Sequence, residues 1–161
     1  MLQLESGDGL QAVLARLNRG RLSLPDTWET AGLAAAEETL EALFRPSEKL
    51  AVYGTLAPGK VNHHHIADLG GNWADTALRG TLGQVPQGIH QGLPGLCLDP
   101  AAAPMPVKLL VSVRLAAAWA RLDAFEGEEM QRLLVPLERD GAFAGLANIY
   151  SLRRSMIAAL T

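Results

Sequence analysis

The feature that most constrains this chain is a change of hydrophobic period near Pro46. Before it, apolar residues recur at helical spacing: Leu10, Val13, Leu14 and Leu17 make one stripe, which Gly20 closes. A second helix is predicted to begin at Asp26, where Asp26-Thr27-Trp28-Glu29 places an acceptor side chain three residues ahead of a carboxylate. It runs through Leu33, Leu40, Leu43 and Phe44 until Pro46 stops it. Beyond Lys49 the apolar runs are short and cut by glycine and proline, as in Leu50-Ala51-Val52-Tyr53 before Gly54, which reads as a buried strand. Residues 1–48 are therefore expected to form a helical extension, a hairpin that either packs on the main domain or recruits a partner, and residues 49–161 that main domain.

Within that domain Asn62 is expected to cap a short helix that ends near Gly70-Gly71. Residues 72–106 carry many Gly and Pro and read as short strands, such as Leu78-Arg79-Gly80-Thr81-Leu82, joined by long loops. The strand pattern is clearest in residues 107–113. A helix follows with Leu115, Trp119, Leu122 and Phe125 at helical spacing, closed by Gly127, and two more strands are expected at 132–137 and 146–151. This order contains too few βα alternations for a doubly wound sheet and predicts a mixed α+β domain built on a curved or closed sheet.

With 161 residues and 48% hydrophobic content, the chain is long enough for one globular domain with a core and a small appendage. A net charge of −3, with Arg153-Arg154 as the densest cationic cluster, argues against nucleic acid as a partner. No uninterrupted apolar stretch approaches a membrane span, and the N-terminus lacks a signal-peptide layout, so a cytoplasmic protein with no membrane partner is expected. A single cysteine, Cys97, excludes an internal disulfide; its apolar neighbours Leu96 and Leu98 mark it as a buried structural thiol.

Two segments about seventy residues apart carry the candidate chemistry. In Tyr53-Gly54-Thr55-Leu56 a strand ends at glycine, so the next N–H groups can point outward as an anion-binding nest, although such turns also serve as plain connections. In Leu122-Asp123-Ala124-Phe125-Glu126-Gly127 a helix ends at a carboxylate. The negative end of the helix and desolvation beside Phe125 should raise its pKa towards the range of a general acid/base; the plainer reading of Glu126, with Glu128 and Glu129 close behind, is a polar surface turn. Gly54 to Lys60 imitates a P-loop, but Val61 stands where the magnesium-binding Ser/Thr belongs and Pro58 removes an amide. His63-His64-His65 are consecutive and share no face, so no metal site is expected, and His90 lies in a loop. No Gly-x-Ser-x-Gly elbow exists, and Ser112 falls within a strand, which argues against a serine hydrolase.

These residues resemble the γ-glutamylcyclotransferase-like proteins, particularly the branch of the γ-glutamylamine cyclotransferases. The resemblance covers residues 49 to about 151. It rests on Val52 to Leu56, Pro58-Gly59 with Asn62-His63, Arg79 to Leu82, Leu93-Pro94-Gly95, Leu122 to Gly127, and Arg132, in matching order and spacing. It implies a barrel-like β-core whose cavity is lined by the Tyr53, Gly54, Thr55 and Leu56 loop, which would hold the α-carboxylate of a γ-glutamyl substrate. Glu126 would then be the general acid/base, with no metal or other cofactor. Met130 departs from the family, where an aromatic residue commonly stands, and bears on substrate identity. Tyr150 is either a cavity hydroxyl or a core-edge tyrosine.

The resemblance implies a small-molecule γ-glutamyl substrate and release of 5-oxoproline. The alternative is a non-catalytic binding or regulatory module whose N-terminal helices contact a partner. Oligomeric state has no signature in the sequence.

Overall fold

The computed structural model describes residues 7–22, 30–153 and 156. Helices α1 (Gly7–Leu22) and α2 (Thr30–Phe44) precede β1 (Lys49–Val52), β2 (Asn72–Gln84), β3 (Pro94–Leu98) and β4 (Pro104–Val111). Helix α3 (Trp119–Glu126) then leads into β5 (Met130–Arg139) and β6 (Ala142–Leu152). The strands lie in the order β3-β2-β4-β1-β6-β5, and β5 returns to β2, which closes a five-stranded barrel and leaves β3 as an outer sixth strand. The expected mixed α+β fold with a closed sheet is the one found.

Closure depends on the length of β2. The 72–79 half of this strand pairs with β4 and the 80–84 half with β3, while Ala77 sits opposite Glu138 of β5. Gly80 marks the handover from one partner to the next. A Cβ there would stand 2.8 Å from the Cys97 carbonyl oxygen and 2.8 Å from Leu96 Cδ1, so only glycine permits the approach. Arg79 Nε and Glu138 Oε1, 2.5 Å apart, fasten the β2–β5 seam. The short strand expected at residues 78–82 is the middle of one continuous strand of 13 residues.

Alternation along the strands separates the apolar side chains into layers. Ala51, Leu78, Val107, Leu109, Val135, Leu137, Ala147 and Ile149 pack together in one cluster. Leu50, Val52, Leu110, Tyr150 and Leu152 pack in another with Trp119 and Leu122 of α3 and Leu56, Ile66 and Leu69 of the loop after β1. Strand β1 therefore has buried residues on both faces, as suits its place between antiparallel β4 and parallel β6.

The two N-terminal helices cover the barrel. Leu14, Leu17, Ala36 and Leu40 bury themselves against Leu134 of β5 and Leu146 of β6. Asn18 reaches the β5 backbone as a neighbouring strand would: it donates to the Leu134 carbonyl and accepts from the Leu134 N–H, both at 2.9 Å.

Several local expectations are revised. Gly20 does not end α1, which continues to Leu22 with Gly20 buried. The expected cap at Asp26 lies outside the described residues. The helix expected after Asn62 is two 3-10 turns, His63–His65 and Ala67–Leu69, and Asn62 makes no cap bond. Ser112 is not mid-strand. It follows β4, accepts from the Arg114 N–H and donates to the Leu69 carbonyl at 2.9 Å, local bonding that competes with strand continuation. Among the described residues no helix is long and apolar enough to cross a membrane.

Candidate active site

The loop leaving β1 carries its amides bare. Among the described residues the N–H groups of Gly54, Thr55 and Leu56 donate to no acceptor, whereas Ala57 N–H and Lys60 N–H close turns onto Gly54 and Ala57 carbonyls. A Cβ added at Gly54 would meet nothing within 4 Å, so packing does not require glycine there; open space stands in front of the loop. Three adjacent unpaired donors form the kind of concave nest that attracts a carboxylate.

This loop is held from behind by the residues that follow it. Asn62 donates through Nδ2 to Thr55 Oγ1 at 2.9 Å, and its backbone N–H donates to the Thr55 carbonyl at 3.0 Å. His63 donates from Nδ1 to the Leu56 carbonyl at 2.9 Å. His64 Nδ1 sits 3.0 Å from the Val61 carbonyl, and the His65 ring stacks on Phe125 with centroids 3.8 Å apart. The three histidines thus have three separate neighbours. No group of three His, Cys, Asp or Glu side chains that could hold a metal occurs among the described residues. Gly54 to Lys60 forms reverse turns and opens no α-helix, so it lacks the strand-loop-helix context of a P-loop.

Glu126 is the last residue of α3. Gly127 ends the helix with φ 74, and its N–H caps the Asp123 carbonyl at 3.1 Å. Burial pushes the Glu126 carboxyl from its ordinary 4.5 up to about 7, with His90 pulling weakly the other way. Desolvation is thus the dominant cause. Such a carboxyl can both take and return a proton near neutral pH.

Two phenols flank it. The Tyr53 hydroxyl donates to the Tyr150 carbonyl at 2.9 Å and accepts from the Leu96 N–H at 3.1 Å, tying β1, β6 and β3 together, and burial raises its pKa. Its proton is engaged in the fold. The Tyr150 hydroxyl donates to Asp123 Oδ1 at 2.6 Å, and burial first, then Asp123, raises its pKa. Tyr150 therefore lines the cavity and anchors the core edge at once. Asp123 is in turn held by both prongs of Arg132 at 2.9 and 3.2 Å, and the Arg132 guanidinium lies 4.6 Å over the Trp119 ring. Arg132 and Arg21 of α1 both reach Asn148 Oδ1, at 3.4 and 3.0 Å, so the polar chain behind Tyr150 ends on the N-terminal hairpin.

Tyr53, Gly54, Thr55, Leu56, Glu126 and Tyr150, predicted from the sequence, all line one cavity with room of about 40 Å³, enough for a few water-sized groups. Met130 lines it as well, at the position where the resemblance leads one to expect an aromatic ring. A roomier cleft of about 730 Å³ lies between α1 and the barrel, but its walls are mainly apolar, Arg79 and Glu138 are paired with each other, and Asp99 accepts from the Ala101 N–H. Cys97 is half-buried where the sequence suggests a buried thiol; it lies outside the small cavity, and desolvation raises its thiol pKa, which suits an inert thiol. Sequence reasoning missed His90. It sits in the turn after β2, buried, lining the cavity, with Nε2 donating to the Phe125 carbonyl at 2.8 Å. A lone histidine between Gly and Pro residues has no periodicity to betray it. The partnership of Asp123 with Arg132 was also missed, although an acid three residues before Glu126 and a base at Arg132 are a legible hint.

The sequence matches no known family model and no curated protein. In three dimensions the chain is similar to an Arabidopsis thaliana protein solved in solution, at 20% identity over 66% of this chain and 69% of that one, with TM-score 0.50. It is also similar to the allophanate hydrolase of Kluyveromyces lactis, at 17% identity over 67% of this chain and 17% of that one, with TM-score 0.52. An AIG2-like protein of Mus musculus aligns at 20% identity over 68% of this chain and 82% of that one, with TM-score 0.49. At such identities the likeness concerns the fold alone. The chain shares the fold of the Arabidopsis thaliana protein and of the aligned part of the allophanate hydrolase.

Proposed function

We propose that this protein is a γ-glutamyl cyclotransferase-type enzyme, acting in the cytoplasm on a γ-glutamyl amine or peptide. The observation that carries the reading is the bare amide loop of Gly54, Thr55 and Leu56 on the same cavity as Glu126, whose carboxyl is pushed up to about 7 by burial. The loop holds the substrate α-carboxylate. Glu126 takes a proton from the substrate α-ammonium, and the freed amine attacks the γ-carbonyl carbon. A five-membered ring closes, the amine departs with a returned proton, and 5-oxoproline remains. Nucleophile and electrophile belong to one molecule, so the enzyme supplies conformation and proton transfer, and the reaction calls for no cofactor. The narrow cavity suits a slender polar head group.

The binding-module alternative needs a hairpin free to engage a partner. Here the apolar stripe of α1 and α2 lies on Leu134 and Leu146 of the barrel, which favours the enzyme with a built-in buttress. The test is 5-oxoproline release from a panel of γ-glutamyl amines and γ-glutamyl dipeptides, comparing wild type with Glu126→Gln. Release by the wild type and none by the variant is expected. A folded wild type that is silent across the panel rejects the assignment.

A further inference from the structure

His90 has a role open to it that the mechanism above does not use. The residue is buried, with 8% of its surface exposed, and it lines the same cavity as Glu126. The Phe125 carbonyl oxygen can only accept, so the proton shared at 2.8 Å belongs to His90 Nε2. That fixes the tautomer: in the neutral ring Nδ1 carries the lone pair. Among the described residues Nδ1 meets no hydrogen-bond partner, yet the one fully enclosed side-chain polar atom without a partner is Gln131 Oε1. Nδ1 therefore keeps contact with open space while the ring around it is packed. The T-shaped contact of the ring with Phe125, centroids 5.0 Å apart, and the Phe125 carbonyl bond set its orientation from the residue next to Glu126.

The proton count of the proposed reaction calls for such a group. Ring closure turns the α-ammonium into a lactam N–H, so that nitrogen loses two protons. The departing amide nitrogen gains two and leaves as an alkylammonium. One proton leaves before attack, when the amine lone pair must be freed. The second leaves after the new C–N bond forms and the ring nitrogen of the tetrahedral intermediate is positively charged. While Glu126 holds the first proton, a second base beside it can take this one before the old C–N bond breaks.

Resting on the cyclotransferase reading, we propose that His90 is the second proton carrier of this site: Nδ1 takes the proton shed by the ring nitrogen and delivers it to the departing amine. Glu126 returns the first proton to the same nitrogen, and the electron pair of the broken C–N bond stays with the leaving amine. Both groups end the cycle as they began. The charged neighbours of His90 are Glu126 from α3, His65 from the turn after β1, and Glu129, whose carboxylate lies against Gly88 in the His90 loop.

The test uses two substrates that differ in how many protons the leaving group takes. A γ-glutamyl alkylamide releases an ammonium, two protons, whereas γ-glutamyl p-nitroanilide releases a neutral arylamine, one proton. His90→Gln keeps an amide N–H for the Phe125 carbonyl and lacks the basic nitrogen. The full chain carrying it should lose about tenfold or more in kcat on both substrates, because the ring nitrogen sheds two protons in either case, and the larger loss should fall on the alkylamide, whose leaving amine also takes the proton held by His90. Wild type should show two ionisations in its kcat–pH profile, one of which the variant lacks; the wild-type profile is a readout that stands even where the variant fails to fold. A loss on the alkylamide no larger than on the nitroanilide, no loss on either, or a wild-type profile with a single ionisation would overturn the role of His90 and leave the cyclotransferase reading standing. A wild type that releases no 5-oxoproline from either substrate overturns that reading, and this role with it.

Discussion

Replacing Glu126 by Gln should make the protein more stable at neutral pH while it loses its acid/base. In the folded chain burial raises the carboxyl to about 7, against an ordinary 4.5 in the unfolded chain. Below pH 4.5 both states hold the proton, and Glu126 contributes no pH dependence. As pH rises from 4.5 towards 7 the unfolded chain releases its proton first, so the unfolded state is favoured and stability falls. Above about 7 both states are ionised and the difference levels off. Each pH unit between the two values is worth about 1.36 kcal/mol, so the wild type forfeits about 3 kcal/mol across the interval. Gln has no charge to bury and keeps that stability. The remaining titrating groups are common to both proteins and cancel in the difference. Urea denaturation of wild type and variant at a series of pH values from 4 to about 8.5 measures it directly. The stability difference should grow in favour of Gln by about 3 kcal/mol over this window, roughly three-quarters of it between pH 5 and 7.5. A difference that stays flat with pH would refute the burial of this carboxylate and, with it, the physical basis for its acid/base role.

Three further outcomes follow from the geometry. Gly54→Ala should leave the melting temperature unchanged, because the added Cβ meets nothing within 4 Å, and should raise KM about tenfold by crowding an anion held by the loop amides; unchanged kinetics would remove the nest from the site. Leu17→Ala should cost about 2–5 kcal/mol in chemical denaturation, since Leu17 is fully buried between the hairpin and Leu134 and Leu146 of the barrel; a loss under about 1 kcal/mol would mean the hairpin is only loosely applied. Tyr150→Phe removes the 2.6 Å bond to Asp123, and should cost about 1–3 kcal/mol, leaving Asp123 to Arg132 alone; equal denaturation midpoints for the two proteins would show that bond to contribute nothing.

The local elements were legible because their causes are local. The stripe of α1, the Gly127 stop of α3 and the apolar runs of β1, β4, β5 and β6 all follow from periodicity and turn chemistry within a few residues. Where local signals misled, a long-range partner had intervened. The short strand read at residues 78–82 runs on at both ends, and its Gly80 is the point at which β2 changes partners. Asn62 reads as a helix cap, and its amide is taken by Thr55 across the loop. Gly20 reads as a helix stop, yet α1 continues through it.

The sequence by itself determined the class of fold and marked two segments, with the residues from Tyr53 to Leu56 and Glu126, as site candidates. Those follow from a glycine ending a strand and a carboxylate ending a helix, each written in consecutive residues, whereas Tyr150 entered only through the family resemblance. Only the tertiary structure decided that the two segments face one cavity, because the parallel pairing of β1 with β6 and the return of β5 to β2 are contacts between residues far apart in the chain. It alone decided that Glu126 is buried enough to hold a proton near pH 7, that His90 joins it, and that the N-terminal helices brace the barrel, since desolvation and packing depend on every element surrounding a side chain and not on its neighbours in sequence.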